Sequence, residues 1–467
     1  MRPEPSRLSR RRALQLSAAS AALALPRSAA AQAAADELPP AVQALAPRPD
    51  PPAPIAVEER KARLARAQHR LAESGLDALV LGPGSSLAYF TGAEWGLSER
   101  FLGCVLTRTG DPSWITPAFE EDRAREQIRI GTDVRPWQED ESPYALVAAV
   151  LRERGVATGR VGIEETMPFA FSDGIAAALP AARLASATAV TAACRMVKDA
   201  HEVALIRRAC AITLHAYRAV FASLREGLTA AQVSGWVAAA HRRLGARGGA
   251  LVLFGPDAAF PHGTKEPRAL RAGDVVLVDG GCSVHGYSSD VTRTGVFGAP
   301  PTERQRRVWD LVRRAQQAAF DAARPGVECQ AIDAAARKVI EDGGFGPGYR
   351  CFTHRLGHGI GLDGHEWPYM MRGSTTRLAP GVTFTNEPGI YLRGEMGIRH
   401  EDTVVVTETG CEQNLLPGSG RGLRRSRRRC ERGRSAPPAA GAATASASAA
   451  ATISAPDGLG CMSSTKG

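Results

Sequence analysis

The chain has 467 residues, a length that accommodates two or three domains. Its composition, 44% hydrophobic and 23% charged, is that of an ordinary globular protein. The formal net charge is +10, but residues 1–33 carry +5 and residues 417–467 carry +7, which leaves −2 for residues 34–416. The nearly neutral body gives no electrostatic reason to expect a nucleic-acid partner.

The first segment has the order of an export signal. Twin arginines, Arg10 and Arg11, precede a mildly apolar run rich in Ala and Ser, and small-residue cleavage sites follow Ala31 and Ala33. We therefore expect residues 1–33 to be a twin-arginine signal peptide and the mature protein to be periplasmic or secreted. An arbitrary basic terminus is the alternative. The apolar run is too short to span a membrane, and no other run of about 18 apolar residues follows.

The next elements in chain order indicate a small α/β domain. Residues 34–54 are rich in Pro and Ala and are expected to form a linker. A helical pattern then runs to Gly75, followed by a strand in "LDALVLGPG" and a short second strand in "LAYFTG". Apolar runs and helical stretches continue to alternate, so we assign residues 55–192 to an N-terminal α/β domain.

The remainder of the folded body shows two similar halves. Asp199 is expected to cap a long amphipathic helix, and further helices are predicted near 229–244, 302–323 and 329–342. Strand patterns follow each pair of helices. The order of helices, hairpin, helices, hairpin predicts a second domain over residues 193–416, built from two related halves.

The character of the sequence changes after Leu416. Residues 417–467 are rich in Arg, Ala and Ser, have no apolar periodicity and are expected to be disordered. A tail that binds nucleic acid or a membrane surface, an incidental extension and a shifted reading frame remain alternative explanations.

Two aspartates are predicted to face each other in the first predicted hairpin, "VVLVDGGCSVHGYSSDVTRT". If Val284 and His285 are the central turn residues, Asp279 and Asp290 pair across the strands with Cβ atoms roughly 5 Å apart. Like charges placed directly opposite are destabilising, so the pair favours a bound divalent metal. In the alternative, the register differs by one residue and one aspartate faces solvent.

Two glutamates and a histidine extend this set. Glu387 lies on the otherwise apolar strand "FTNEPGIYL", and Glu401 begins another strand in "GIRHEDTVVVT". The stretch "CFTHRLGHGIGLDGHEWPY" adds His354, His358 and His365. Four carboxylates and one imidazole suit a pair of Mn²⁺, Zn²⁺ or Co²⁺ ions bridged by carboxylates.

Two other motifs are excluded for the histidine-rich stretch. "HEWPY" is not the helical zinc motif H-E-x-x-H, because its last position is Tyr369 and Pro368 would break the helix. The glycines of "GHGIG" do not form a phosphate loop, since no helix start and no Lys-Ser/Thr follow. We expect these glycines to let the backbone pass close to the metals.

The order Asp279, Asp290, His358, Glu387, Glu401 resembles the five-ligand set of the pita-bread metallopeptidases. Within that family, the blocks "PHG", "VDGG", "GYSSDVTRT", "HRLGHGIGLDGHE", "TNEPGIY" and "GIRHED" are similar to the Xaa-Pro peptidases, aminopeptidase P and prolidase. The resemblance is weak over the first domain and strong in the second. It implies an α/β (α+β) fold, with a creatinase-type N-terminal α/β domain before a pita-bread catalytic domain of pseudo-twofold halves.

The resemblance implies a role for each ligand. Asp279 is expected to bind one metal through both oxygens, while Asp290 and Glu401 bridge the two metals. His358 and Glu387 complete the coordination of the second ion. A bridging hydroxide is expected to attack the scissile carbonyl, and Glu387 to carry its proton to the leaving prolyl nitrogen.

The resemblance also implies residues that act beside the metals. His262 and His365 are expected to position the scissile carbonyl and to stabilise the tetrahedral oxyanion. Arg399 either pairs with a ligand aspartate or binds the substrate carboxylate. His354 either supports the site from behind the ligands or has a purely structural role.

The resemblance implies an exopeptidase that hydrolyses the bond before a proline at the second position of di- or oligopeptides. Its cofactors are two divalent ions, Mn²⁺ first and Zn²⁺ or Co²⁺ as alternatives. The alternative function is a non-peptidase hydrolase or lyase on the same fold, such as a creatinase-like C–N hydrolase. Creatinase-like enzymes need no metal and typically lack the full ligand set, which is present here. A homodimer or higher homo-oligomer is expected, with no membrane span after signal removal and no nucleic-acid partner.

Overall fold

A computed structural model describes residues 37–47 and 49–413, which form two domains. The predicted signal peptide and the predicted C-terminal tail lie outside the described residues. Within the described ranges, every helix is too short or too polar to cross a lipid bilayer.

The N-terminal domain is a six-stranded mixed sheet covered by helices on both faces. Its helices, after a single preceding turn α1 (Pro40–Gln43), are α2 (Val57–Glu73), α3 (Ser85–Thr91), α4 (Glu121–Gln127), α5 (Pro143–Glu153), α6 (Phe169–Ala178) and α7 (Thr188–Met196). Its strands are β1 (Ala78–Leu81), β2 (Gly103–Thr107), β3 (Ser113–Pro117), β4 (Val134–Trp137), β5 (Arg160–Ile163) and β6 (Arg183–Ser186), in the order β4-β3-β2-β1-β5-β6. On β1, Leu79 and Leu81 pack with α2, α3 and α7, whereas Ala78 and Val80 pack with α5 and α6. Strand alternation therefore buries both faces of the sheet.

One predicted element of this domain is wrong. The segment "LAYFTG" forms most of helix α3 instead of a strand, and the helix ends at Gly92, whose φ is 85°. Leu87 and Phe90 are fully buried three residues apart, which is the spacing of one helix face. The run of apolar and aromatic residues is too short to separate a strand from a buried helix by periodicity. The predicted helix before Gly75 and the strand that follows it are confirmed as α2 and β1.

The second domain has two halves, each with two helices followed by antiparallel strands. The first half contains α8 (Ala200–Phe221), α9 (Ala230–Arg243), β7 (Arg247–Phe254), β8 (Val275–Val284), β9 (Tyr287–Ser288) and β10 (Val291–Val296), with the sheet order β10-β8-β7 and β9 paired to β8. The second half contains α10 (Glu303–Ala322), α11 (Cys329–Ile340), β11 (Gly357–Gly359), β12 (Glu366–Met370), β13 (Thr383–Asn386), β14 (Gly389–Leu392), β15 (Met396–Arg399), β16 (Asp402–Val406) and β17 (Cys411–Gln413). These strands form the sheet β12-β11-β13-β16-β17 and the ribbon β14-β15. All four predicted helices are confirmed, and the carboxylate of Asp199 caps α8 by accepting the N–H of Glu202 at 2.9 Å.

Equivalent backbone hydrogen bonds relate the two halves. In each half the loop before the second helix is bonded to the loop that precedes one strand, β8 in the first half and β13 in the second. The bonds are Gly227–Leu270 and Leu270–Leu228 in the first half and Gly326–Leu378 and Leu378–Val327 in the second. Asp279 comes nine residues after Leu270, and Glu387 comes nine residues after Leu378. The two halves therefore place an acid at equivalent positions. The predicted α/β (α+β) class, with two related halves in the second domain, is confirmed.

Part of the predicted linker is packed against the second domain. Val42 of α1 and the nearby Leu45 are buried in one apolar cluster with Tyr217 of α8 and Trp236 of α9. Pro40 is tolerated at the start of α1, where a helix does not need its N–H. Pro/Ala-rich composition predicts a linker that packs against neither domain, but the side chains of Val42 and Leu45 anchor this part of it on the second domain.

A buried ion pair holds the segment that leads into β11. Arg337 of α11 is bonded to Asp333 through two contacts of 2.8 and 3.0 Å. The same guanidinium donates to the carbonyl oxygens of Phe352 and His354, at 2.9 and 3.0 Å. Asp333 in turn accepts the N–H of Leu356 at 3.0 Å. The pair therefore fixes the backbone just before His358.

We expect Arg337→Met to lower the free energy of unfolding by about 3–5 kcal/mol, because it leaves the carboxylate of Asp333 buried and unpaired. Lys338→Met is the matched control: the neighbouring residue of the same helix makes an exposed ion pair with Asp342, and its loss should leave stability unchanged. Urea unfolding of both variants measures the difference. An equal loss in the two variants would show that the buried pair has no special role.

Candidate metal centre

The two aspartates of the first hairpin lie on one face, but they are not directly opposite. The turn is formed by His285 and Gly286, with φ of 47° and 84°, one residue later than predicted. Positive φ at both positions is what a two-residue type I′ turn requires. Asp279 consequently pairs with Thr292 instead of Asp290, so the predicted register is wrong. Moving the turn by one residue shifts the pairing by two, which keeps the aspartates on the same face as diagonal neighbours.

Glycines let the strands of the site approach one another. A Cβ on Gly281 would lie 1.7 Å from the carbonyl oxygen of Ser289, on the strand that leads to the second aspartate. A Cβ on Gly357 would lie 1.8 Å from the carbonyl oxygen of Thr385. The glycines of "GHGIG" were predicted to let the backbone pass close to the metals. Gly357 instead makes room for the neighbouring strand β13.

Four carboxylates and one imidazole converge between the halves of the second domain. One oxygen from each of Asp279, Asp290 and Glu401 lies within 4.8 Å of the other two. One ligand atom from each of His358, Glu387 and Glu401 forms a second group, in which the atoms also lie within 4.8 Å of one another. Nε2 of His358 is 3.2 Å from Glu387 and 4.0 Å from Asp290. Glu401 thus belongs to both groups, and Asp290 lies between them.

Thr292, which the sequence pattern did not single out, stands between two of these carboxylates. Its hydroxyl oxygen is 2.8 Å from Oδ1 of Asp279 and 2.6 Å from Oε2 of Glu401. A hydroxyl donates only one hydrogen bond, so only one of these two oxygens accepts it, and the other faces a lone pair of the hydroxyl unless it binds a proton or a cation. Strand alternation was the available signal, because Thr292 lies two residues after Asp290 and on the same face.

The imidazole of His358 is oriented by its surroundings. Its Nδ1 lies 3.1 Å from the carbonyl oxygen of Gly359, which leaves Nε2 directed toward the carboxylates. Its backbone N–H donates to the hydroxyl oxygen of Thr385 at 3.0 Å, and that hydroxyl donates to Oε1 of Glu387, also at 3.0 Å. Thr385 therefore sets the spacing between the histidine and the glutamate.

Arg399 is buried behind Asp279. Its guanidinium pairs with that carboxylate, donates to the hydroxyl of Tyr391 at 2.7 Å and also contacts Thr292 and the carbonyl oxygen of Pro261. The side chain is only 3% exposed. Because its hydrogen-bonding directions are taken up by these contacts, the structure favours the pairing with a ligand aspartate over binding of a substrate carboxylate.

His354 lies at the end of the same chain of hydrogen bonds. Its Nδ1 is 2.7 Å from the carbonyl oxygen of Arg355, so Nδ1 carries the proton and Nε2 accepts from the hydroxyl of Tyr391 at 2.7 Å. Burial lowers the pKa of His354, which keeps the ring neutral. Among the described residues it belongs to no ligand group. It holds Tyr391, which holds Arg399, and so supports the site indirectly.

The two histidines predicted to act on substrate are both exposed. His365 stacks on His358 with ring centroids 3.6 Å apart and remains exposed. One of its nitrogens is within 4.8 Å of ligand atoms of Asp290 and His358. Burial lowers the pKa of His365, and the charges of His358 and, more weakly, His262 lower it further. His262 is exposed in the loop after β7, close enough for this effect.

The cluster carries more negative charge than its neighbours neutralise. Burial, followed by the charges of Asp279 and Glu387, raises the pKa of Asp290 to about 8. Burial, followed by the charges of Asp290, Glu387 and Asp279, raises the pKa of Glu401 well above its usual range. Burial would also raise the pKa of Glu387, but the hydrogen bond and charge of His358 outweigh it and lower this pKa to about 2. Such a donor set accepts protons or divalent cations, and its oxygen-rich composition fits the latter.

We expect the metal-free protein to lose stability as pH rises from about 4 to 8. Asp290 holds a proton up to about pH 8 when folded, against an ordinary pKa of 3.8. The folded state therefore binds more protons than the unfolded state in this range, and stability falls with pH. Thermal unfolding in EDTA measures how stability changes with pH, and Asp290→Asn is the control that should reduce this slope. A slope that is the same in both proteins would contradict the assignment, as would a slope unaffected by added Mn²⁺.

The fold and the site define a class of protein: a metal-dependent hydrolase with an α/β domain in front of a catalytic domain of two related halves. The chain belongs to metallopeptidase family M24, whose family model matches residues 204–408. The Creatinase/Prolidase N-terminal domain matches residues 63–197. The predicted creatinase-type and pita-bread architecture and the predicted metallopeptidase class are confirmed. The boundary between residues 192 and 193 stays a prediction.

The chain matches several named proteins over nearly the whole length of each of them. The probable dipeptidase PepE of Mycobacterium tuberculosis is 39% identical over 353 residues, which cover 74% of this chain and 92% of that protein. The Xaa-Pro dipeptidase of Pyrococcus furiosus is 30% identical over 356 residues, covering 76% and 97%. The crystal structure of dipeptidase PepE from Mycobacterium ulcerans superposes with a TM-score of 0.72 at 37% identity, covering 78% of this chain and 97% of that one. These similarities do not favour the alternative of a non-peptidase hydrolase.

Proposed function

We propose that the protein hydrolyses the bond before proline in dipeptides, using two divalent metal ions. The observation that carries this proposal is the convergence of Asp279, Asp290, His358, Glu387 and Glu401 into two groups that share Glu401. The name of the Pyrococcus furiosus relative supports the proline preference. The names of the mycobacterial relatives support short substrates.

The donor set accounts for two ions. Asp279 would hold one ion and His358 with Glu387 the other, while Asp290 and Glu401, which lie close to ligand atoms of both groups, would contact both. When bound, two divalent ions polarise the scissile carbonyl and supply a water that is deprotonated near neutral pH. Mn²⁺ is the ion we propose first, because four of the five ligands are carboxylates; Zn²⁺ and Co²⁺ are the alternatives.

The protein's own residues supply proton transfer and orientation. Glu387, which is held by Thr385 and His358, is ionised and can accept a proton from the nucleophile. It then delivers that proton to the prolyl nitrogen, which must be protonated to leave as an amine. His365, which is stacked on His358, and the exposed His262 would each donate a hydrogen bond to the carbonyl oxygen as its negative charge develops.

Hydrolysis of Ala-Pro, Ala-Pro-Ala and Ala-Ala by the Mn²⁺-loaded protein tests this proposal. We expect cleavage of Ala-Pro, detected by mass spectrometry, and its loss on chelation with recovery when Mn²⁺ is restored. Cleavage of Ala-Pro-Ala after Ala would instead indicate an aminopeptidase P. Equal cleavage of Ala-Ala would remove the proline preference. If none is cleaved although two ions are bound, the peptidase proposal fails for these substrates.

We also propose export by the twin-arginine route, to the periplasm or the medium, and assembly as a homodimer or larger homo-oligomer. The order of arginines, apolar run and cleavage sites in residues 1–33 supports export, and the family resemblance supports the oligomer. N-terminal sequencing of protein from fractionated cells tests the first point, and light scattering tests the second. An uncleaved N-terminus on cytoplasmic protein would refute export. A monomeric mass would refute the oligomer.

A further inference from the structure

The turn that carries His365 is docked on the N-terminal domain. This turn, residues 361–366, is called here the His365 turn. Leu362 packs into the apolar cluster formed by α2, α3 and α7. Asp363 accepts a hydrogen bond from Ser85 at the start of α3. The turn therefore belongs to the catalytic domain by sequence but rests on side chains of the other domain.

Two buried cations complete the attachment. One Nη atom of Arg195, at the end of α7, is 2.6 Å from Asp363 and 2.5 Å from Glu366. Nζ of Lys198 is 2.6 Å from the other oxygen of Glu366. The side chains of Arg195, Lys198 and Glu366 are 7%, 1% and 6% exposed, so solvent and salt screen the two ion pairs of Glu366 little, whereas Asp363 is 37% exposed. The two cations balance the two carboxylates.

The backbone packs closely against the side chains of this ion-pair cluster. A Cβ on Gly361 would lie 2.5 Å from Oε1 of Glu366 and 3.0 Å from Cε of Lys198. The carbonyl oxygen of Gly361 also accepts the N–H of Ser288, two residues before Asp290. The His365 turn is thus fixed at both ends, on one side by the ion cluster and on the other by the hairpin that carries a predicted metal ligand.

We propose that Arg195 and Lys198 are positioning residues that set the orientation of His365 over the predicted metal ligands. Neither residue is one of the predicted metal ligands: Arg195 acts through Asp363 and Glu366, which lie on either side of His365, and Lys198 acts through Glu366. A group that stabilises a transition state must be held to within about 0.5 Å, which a solvent-exposed turn does not achieve alone. The effect on turnover rests on the proposed function, whereas the attachment of the turn does not.

The variant that tests this inference removes one cation and one anion together. Arg195→Met/Asp363→Asn leaves Lys198 paired with Glu366 and strands no charge. We expect kcat on Ala-Pro to fall by about 10- to 100-fold, as for other residues that orient a catalytic group, with KM and metal content little changed. Arg135→Met is the matched control, because this arginine pairs with Asp133 and Glu153 of the same domain but does not touch the turn.

A double-mutant cycle separates positioning from general stability. In a His365→Ala background the Arg195→Met/Asp363→Asn change should lower kcat by less than about twofold, because the group it positions is already gone. If the fold losses in kcat caused by His365→Ala and by Arg195→Met/Asp363→Asn multiply, the cations do not act through His365 and the inference is wrong. If the double variant does not fold, Arg195→Lys replaces it, with a smaller loss of kcat that must likewise disappear in the His365→Ala background.

Hydrogen exchange of the Mn²⁺-loaded protein gives a readout that needs no activity. Peptides covering the His365 turn should exchange faster in Arg195→Met/Asp363→Asn and unchanged in Arg135→Met. Unchanged exchange in the turn would overturn the attachment, whatever the protein hydrolyses. Failure of the wild-type protein to cleave Ala-Pro while exchange behaves as expected would refute only the proposed function.

Discussion

Asp290→Asn is expected to lower kcat/KM by at least about 10³-fold, because the several kcal/mol that metal ions contribute to the transition state depend on ligands that hold them. The oxygens of Asp290 lie next to those of Asp279 and Glu401 and 4.0 Å from Nε2 of His358, between the two ligand groups. Its loss should therefore affect both ions, and bound metal should fall from two ions per chain to one or fewer.

Metal content and hydrolysis of Ala-Pro measured on the same preparation test this prediction. Asp173→Asn, an exposed aspartate on α6, is the matched control and should change neither quantity. Undiminished metal in Asp290→Asn would remove this residue from the ligands, even if activity were lost.

The same substitution should stabilise the metal-free protein at pH 8. Asp290 is buried among acids that raise its pKa, so its charged form is destabilising without a cation. The neutral amide removes that repulsion. A loss of activity together with a gain in stability distinguishes a functional carboxylate from a structural one, because functional sites often retain groups that lower stability.

The sequence predicts which residues converge better than it predicts how they are arranged. Glu387 and Glu401 were recognisable because an acid on an apolar strand needs a partner, and Asp199 because a helix needs a cap. The register of the first hairpin was wrong because the turn was placed on Val284 and His285. Only the positive φ at His285 and Gly286 fixes it, and a histidine with positive φ is not evident from its identity.

Long-range partners were beyond the sequence pattern. Periodicity shows which face of a strand or helix is buried, but not which residue lies across from it. Arg195 and Glu366 are separated by 171 positions, yet they are in direct contact. Tyr391 is the last residue of the motif TNEPGIY, but the hydrogen bonds by which it links Arg399 to His354 form only when three segments are folded together. For the same reason, the packing of α1 was missed.

The histidine that stacks on the predicted metal ligand decides between two arrangements of the site. A nitrogen of His365 lies within 4.8 Å of ligand atoms of both Asp290 and His358, so the geometry alone permits it to be a ligand or a donor to substrate. It is also exposed and stacked, with its ring 3.6 Å from that of His358, whereas His358 is buried and hydrogen-bonded at Nδ1. These differences favour His358 as the ligand and His365 as the donor.

We therefore expect His365→Ala to keep both metal ions and to lose about 10²- to 10³-fold in kcat, the usual cost of removing one oxyanion donor. KM should change little, because the interaction strengthens as charge develops on the carbonyl oxygen. His358→Ala should lose metal as well as turnover, and His69→Ala, an exposed histidine of the N-terminal domain, should lose neither. Metal analysis and steady-state kinetics on the three variants check this. If His365→Ala lost most of its metal while His358→Ala kept it, His365 would be the ligand and His358 the donor to substrate. The metal would then be coordinated by the exposed histidine instead of the buried one.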